Sequence, residues 1–353
     1  MGLLTRQTYL IEVAEKYGLY KHIRFNSTVE EARWDDATHK WKTSVKVGGA
    51  KDSQFVEAYE MQSDFLVSAV GQLNVPREPE IPGLHDFQGK MMHSARWDWS
   101  YDMKGKRIAV IGNGATAAQI VPEVAKEASH LAVYQRTPNW IIPRADRSIT
   151  SVEKALFSYL PPIHWSKRAV QMDMREYFHG AVTGENSSLA QQMRDMCTDA
   201  LKKQLPDKPE LWESLIPNYS PGCKRVLLTD DYYPTLNQKH VDLETRGITR
   251  ITETGIETAD GDVQEYDLIV LATGFRTVEF MFPIEVYGRQ GRALSDIWKD
   301  GAMAYYGMTV EDLPNFGMLY GPNTNLGKFC IVCILSCVKV LTGSRPQFDY
   351  PDD

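Results

Sequence analysis

Three groups of residues in this sequence have types and spacings that could do chemistry. The first is Gly112-x-Gly114-x-x-Ala117 in "RIAVIGNGATAAQ", set between an apolar run and a stretch with helical spacing. In such a turn the first glycine permits a tight bend and the second lets backbone approach a pyrophosphate. The third, small residue lets helix pack closely on strand. The helix that follows offers unpaired N–H groups and a partial positive charge to phosphate. Gly112, Asn113, Gly114, Ala115, Thr116, Ala117 and Gln119 therefore form a candidate dinucleotide-binding set. The alternative is a glycine turn that serves folding alone. A strand before and a helix after favour the dinucleotide, whereas Pro122 argues against it, because proline should kink that helix.

The second group is Arg136-Thr137, at the end of the next apolar run, "HLAVY". A unit specific for NAD places Asp or Glu here to bond the ribose hydroxyls. A cation and a hydroxyl instead suit a 2′-phosphate, which points to NADP; a merely solvated surface arginine is the alternative. The third group is Lys224-Arg225 in "GCKRVLL", which taken alone reads as a surface charge pair. His93 adds a side chain that titrates near neutrality.

These residues need elements to position them. "TYLIEVAEKYGLY" has helical spacing and closes at Gly18. The runs "HIRFNSTVEEARWD", "HKWKTSVKV" and "QFVEAYEMQSDFLVSAVG" are β-rich and separated by turn residues, which predicts an antiparallel meander. "NVPREPEIPG" is too rich in proline for helix or central strand and reads as a domain linker. A parallel α/β pattern starts at Arg107, residues 138–222 have helical spacing with few strand signals, and strand signals return in "GITRITETGIETADG", "EYDLIVLATGF" and "NFGMLYGPN".

Composition narrows the partners. The 353 residues carry 46 acidic against 39 basic side chains, a net charge of -7, so no overall positive field gathers nucleic acid. The first twenty residues show no basic segment followed by an apolar run, and Arg6 stands where a myristoylation motif wants Ser or Thr. The five cysteines, Cys197, Cys223, Cys330, Cys333 and Cys337, are an odd number and fit reduced thiols in a cytoplasmic protein. The last three recur at i, i+3 and i+7 without a fourth ligand nearby, so no metal is expected.

"DFQGKMMHSARWDW" places Phe87, Gly89, His93, Trp97 and Asp98 at fixed spacing between the proline-rich stretch and the glycine turn. It resembles the fingerprint of Baeyer–Villiger monooxygenases, within the wider flavin-containing monooxygenase group. The resemblance continues through "YQRTPNW", "GCKRVLLTDDYYPTLN", "DLIVLATGF" and "LPNFGMLYGPNTNLG", about residues 5 to 327. It implies an α/β flavoprotein with two dinucleotide-binding, Rossmann-like domains and a helical insertion, the FAD domain being incomplete. Residues 1–105 would be a partial FAD-binding domain and linker, 106–265 an NADP-binding domain with its insertion at 138–222 lying over a nucleotide site, 266–327 the return to the FAD domain, and 328–353 a divergent tail. The family's first glycine motif, for FAD, has no counterpart in the sequence. The polar stretch usual after Gly327 is replaced by "KFCIVCILSCVKVL", as in a truncated gene product.

Residue by residue, the resemblance implies that Arg225 is the active-site arginine and that Lys224 joins Arg136 and Thr137 near the NADP 2′-phosphate. Thr273 and Gly274 would bring backbone close to the flavin, His93 and Trp97 would act as hinge and packing residues, and Tyr232 and Tyr233 would pack. The implied reaction uses NADPH, FAD and O2 to insert one oxygen atom beside a ketone carbonyl, giving an ester or lactone in secondary metabolism. The alternative is a non-catalytic NADP-binding remnant, or a subunit whose partner chain supplies the missing FAD unit.

Overall fold

The computed structural model describes residues 3–48, 57–144, 146–183 and 188–324; Cys330, Cys333 and Cys337 lie outside them. The described chain divides into two compact units: residues up to Gln72 with those from Thr277 onward, and Leu73–Arg276.

The first unit contains the expected meander. Strands Ser27–Asp35, Lys40–Val47 and Ala58–Ser63 pair antiparallel in sequence order, and Glu285–Tyr287 adds parallel to the first. The turn after Asp35 is held by its own carboxylate, which accepts from Ala37 and Thr38 N–H at 2.9 and 3.3 Å. Trp34, Trp41, Val286, Leu313 and Phe316 are buried in its core, and the Trp41 indole donates to the Pro314 carbonyl at 2.9 Å. Helix Leu3–Lys16 is followed by Gly18 at φ +60°, the stop expected from the sequence. Leu66–Ser68 pairs parallel with Phe316–Met318.

The second unit is an α/β layer structure. Its five-stranded sheet runs Val241–Glu244, His130–Tyr134, Arg107–Ile111, Leu268–Leu271, Lys90–His93, with every pairing parallel. "IAVI", "LAVY" and "LIVL" are buried on both faces, as a parallel sheet demands. Ile108 and Val110 face a core that includes helix Ala115–Val124 and Tyr232–Leu236, while Ala109 and Ile111 face Ile251, Ile256 and Tyr266. Tyr232 and Tyr233 are both buried in the first of these cores and pack, as expected. Helix Ala115–Val124 continues through Pro122 and ends two residues beyond it.

Two boundaries differ from the sequence-based expectation. Leu268–Leu271, read as the strand returning to the first domain, pairs between Arg107–Ile111 and Lys90–His93 inside the second unit, and the chain crosses only after Arg276. Likewise Lys90–His93, placed in the 1–105 segment, is an edge strand of the same sheet. The physical reason is that "LIVL" is apolar on both faces, and a central parallel strand gives it two covered sides. Within 138–222 the helices Ser151–Tyr159, Pro161–Thr183 and Ser188–Gln204 appear as expected, but Ile141–Ile142 forms a short parallel pair with Leu227–Leu228.

Candidate nucleotide site

The two turn glycines do different work. Gly112 follows the central strand Arg107–Ile111 with φ +113°, and its N–H donates to the Tyr134 carbonyl at 3.0 Å. A Cβ there would lie 2.6 Å from the Ala272 carbonyl oxygen, so both conformation and space demand glycine. Gly114 has ordinary extended backbone, φ -71° and ψ -168°, and a Cβ on it would meet nothing within 4 Å. The fold does not need glycine at 114; an approaching ligand would.

Gly114 is the N-cap of helix Ala115–Val124, and no side chain caps that end. No acidic residue stands in the first turn either. The orphan N–H groups and the positive end of the dipole are therefore left for an anion. Ala117 is fully buried against the sheet, which explains its small size. Thr116 is half-buried, and Gln119 folds its amide onto the Ala115 carbonyl at 2.9 Å. These features fit a bound pyrophosphate.

Asn113, between the glycines, reaches across to the neighbouring strand end. Its amide donates to Gln135 Oε1 at 2.8 Å and to the Thr137 carbonyl at 2.9 Å, while the Asn139 amide donates to the Asn113 carbonyl at 3.1 Å. Gln135 is buried, and its own amide donates to the Ser214 carbonyl at 2.7 Å. Arg136 is exposed beside this network and Thr137 half-buried.

Lys224 joins the same neighbourhood through Tyr219. Its ammonium lies 5.0 Å from the centre of the Tyr219 ring. The Tyr219 hydroxyl donates to the Pro138 carbonyl at 2.8 Å, and the Trp140 indole donates to the Tyr219 carbonyl at 2.8 Å. The Ile141–Ile142 and Leu227–Leu228 pair continues this contact and fixes "GCKRVLL" beside "RTPNW". Arg225 is exposed next in the chain, and like Arg136 it has no ion-pair partner among the described residues. Gln135, Asn139 and Tyr219 were not singled out in the sequence. Their only signal was adjacency to the Arg-Thr and Lys-Arg pairs.

Thr273 and Gly274 follow Ala272, the residue that presses on Gly112. The Thr273 hydroxyl donates to the Arg77 carbonyl at 2.5 Å, and Arg77 N–H donates to the Gly274 carbonyl at 2.9 Å. Both residues thus bind the proline-rich connector, and Gly274 needs its φ of +83° to do so. His93 ends the adjacent edge strand. Its Nδ1 accepts from Ala95 N–H at 3.1 Å, so the proton sits on Nε2, which is buried. Burial pushes the His93 pKa down, and the nearby Gly274 carbonyl offsets this only in part. In the same fingerprint, a Cβ on Gly89 would lie 2.4 Å from the Phe87 ring, and Lys90 pairs with Asp98 at 2.6 Å.

The Flavin-binding monooxygenase-like family model matches residues 4–159. The FAD-binding monooxygenase ktnD of Aspergillus niger is 60% identical over 328 residues, which are 93% of this chain and 54% of that protein. Over these stretches the chain is similar to flavin-binding monooxygenases. A Baeyer-Villiger monooxygenase of Streptomyces coelicolor is 37% identical, the match covering 93% of this chain and 61% of the relative. Among solved structures, OTEMO in complex with FAD and NADP superposes with a TM-score of 0.78 at 29% identity, covering 95% of this chain and 69% of that one. An open form of cyclohexanone monooxygenase gives 0.77 at 25% identity, with 95% and 70% covered. The chain thus shares the α/β architecture of those structures, and it spans between about half and three-fifths the length of the two curated relatives. No helix among the described residues is long and apolar enough to cross a membrane.

Proposed function

We propose that this chain carries the NADP-binding part of an NADPH- and FAD-dependent monooxygenase of Baeyer–Villiger type. The enzyme would insert one oxygen atom from O2 beside a ketone carbonyl, yielding an ester or lactone. The carrying observation is the uncapped helix N-terminus behind Gly114, with the Gln135–Thr137 loop tied to Asn113 and Lys224 set against Tyr219, which bonds to Pro138 of the same loop. The family-model match over residues 4–159 and the likeness to OTEMO in complex with FAD and NADP support the same reading.

In this reading the Gly112–Ala117 turn holds the pyrophosphate, and Arg136, Thr137 and Lys224 hold the 2′-phosphate. Arg225, exposed and always charged, would supply a positive charge to anionic species of the reaction. FAD, when bound, supplies the redox chemistry that activates oxygen. The one Gly-x-Gly-x-x-Ala turn among the described residues is assigned to NADP, and Thr273 and Gly274 would bring backbone close to the flavin. His93 and Trp97 serve as hinge and packing residues, and secondary metabolism in the cytoplasm is the proposed setting.

The test is to mix the purified chain with FAD and NADPH without oxygen and follow flavin absorbance, then admit air with cyclohexanone and assay for lactone. Bleaching followed by lactone supports the enzyme. NADPH binding without flavin reduction, restored by a flavin-binding fragment of a relative, supports the subunit alternative. Absence of NADPH binding defeats both.

A further inference from the structure

We infer that Asn113 is the positioning residue that sets the preference for a 2′-phosphorylated cofactor; this rests on the NADP reading above. A glycine turn by itself recognises a pyrophosphate and is indifferent to the ribose 2′ position. Discrimination belongs to the loop after strand His130–Tyr134, where Arg136 is exposed and Thr137 half-buried. Something must hold that loop at a fixed distance from the turn.

Asn113 does so with both amide protons. One goes to Gln135 Oε1 at 2.8 Å and the other to the Thr137 carbonyl at 2.9 Å, so one side chain brackets Arg136 on either side in the chain. The return bond, Asn139 amide to Asn113 carbonyl at 3.1 Å, closes the link from beyond Thr137. Gln135 is anchored independently, its amide on the Ser214 carbonyl at 2.7 Å and its N–H on the Glu244 carbonyl at 2.8 Å. The turn that would hold the pyrophosphate and the loop that would hold the 2′-phosphate are thus one braced piece. Bracing of this kind removes the cost of ordering the loop when ligand binds.

The experiment is calorimetric titration of the full chain and of Asn113→Ala with NADPH and NADH, with thermal unfolding of each as a control. Loss of two hydrogen bonds that hold the charged loop should weaken NADPH about tenfold or more and NADH less than about threefold, so that the ratio of affinities falls. Asn113→Asp keeps the size but turns both donors into acceptors facing oxygens, and should lower the ratio at least as far. It serves equally if the alanine variant does not fold. Equal weakening of both cofactors, or an unchanged ratio in either variant, overturns the positioning role. If the unaltered chain binds neither nucleotide, the NADP reading itself fails and this inference falls with it.

Discussion

Replacing Gly114 by alanine should separate ligand binding from folding. The backbone at 114 is extended, φ -71°, and the added methyl would meet no atom within 4 Å. Losing a glycine N-cap costs a few tenths of a kcal/mol to about 1, and reduced freedom of the unfolded chain returns about 0.4–1 kcal/mol. Stability should stay within about 1 kcal/mol of the parent. The same methyl stands where a pyrophosphate must approach the helix N-terminus, so NADPH affinity should fall at least tenfold, about 1.4 kcal/mol or more. Gly112→Ala is the counterpart. Its methyl would lie 2.6 Å from the Ala272 carbonyl oxygen on backbone at φ +113°. Left-handed strain of about 1–2 kcal/mol plus a shift of a central strand end should destabilise the fold by about 2–4 kcal/mol. Urea unfolding and NADPH titration on both variants give the four numbers needed. A Gly114→Ala protein that folds normally and binds NADPH as tightly as the parent would refute the reasoning, since the turn would then serve folding alone.

Three further outcomes are expected. Arg136→Ala should weaken NADPH about tenfold and NADH less than about twofold, because it removes one charge-assisted hydrogen bond from an exposed site; fluorescence titration with both cofactors checks this. Tyr219→Phe keeps the ring beside Lys224 but loses the bond to the Pro138 carbonyl, worth about 0.5–1.5 kcal/mol. NADPH affinity should fall several-fold while Lys224→Ala, measured in parallel, falls further. Burial lowers the His93 pKa from its ordinary 6.5, so below that pH the unfolded chain takes up a proton that the folded chain refuses. The unfolded state then binds more protons, and stability falls as pH drops from 6.5 toward 5. His130, also lowered by burial, contributes in the same direction. Asp98 and Asp260, held down to about 2, contribute only in more acid solution. His93→Gln should flatten part of the slope between pH 7 and 5 in urea titrations; an unchanged slope would contradict the buried neutral ring.

What was legible in the sequence was what depends on neighbours in the chain. The strand–turn–helix unit at Arg107–Val124, the antiparallel meander and the helical block follow from local periodicity, turn chemistry and apolar runs. The partner of an apolar run does not. "LIVL" is buried on both faces wherever it goes, and nothing local says whether a sheet before or after the linker receives it. Its place beside Arg107–Ile111 is set by long-range pairing, which is why the domain boundary was misplaced. The site shows the same division. Arg136 and Lys224 stood out as charges, but the polar links that hold the loops around them, Asn113 to Gln135 and Tyr219 to Pro138, span 22 and 81 residues. Glutamine and tyrosine have no fixed spacing that announces such a brace.

The most direct measurement is the affinity of the full chain for NADPH beside NADH, taken by calorimetry in one buffer at one ionic strength. With the helix N-terminus uncapped and Arg136 and Lys224 assigned to the 2′-phosphate, NADPH should bind at least tenfold more tightly, and the difference should shrink as salt screens the 2′-phosphate. Equal affinities, or no binding of either nucleotide, would contradict the assignment of this turn and its two cations to NADP.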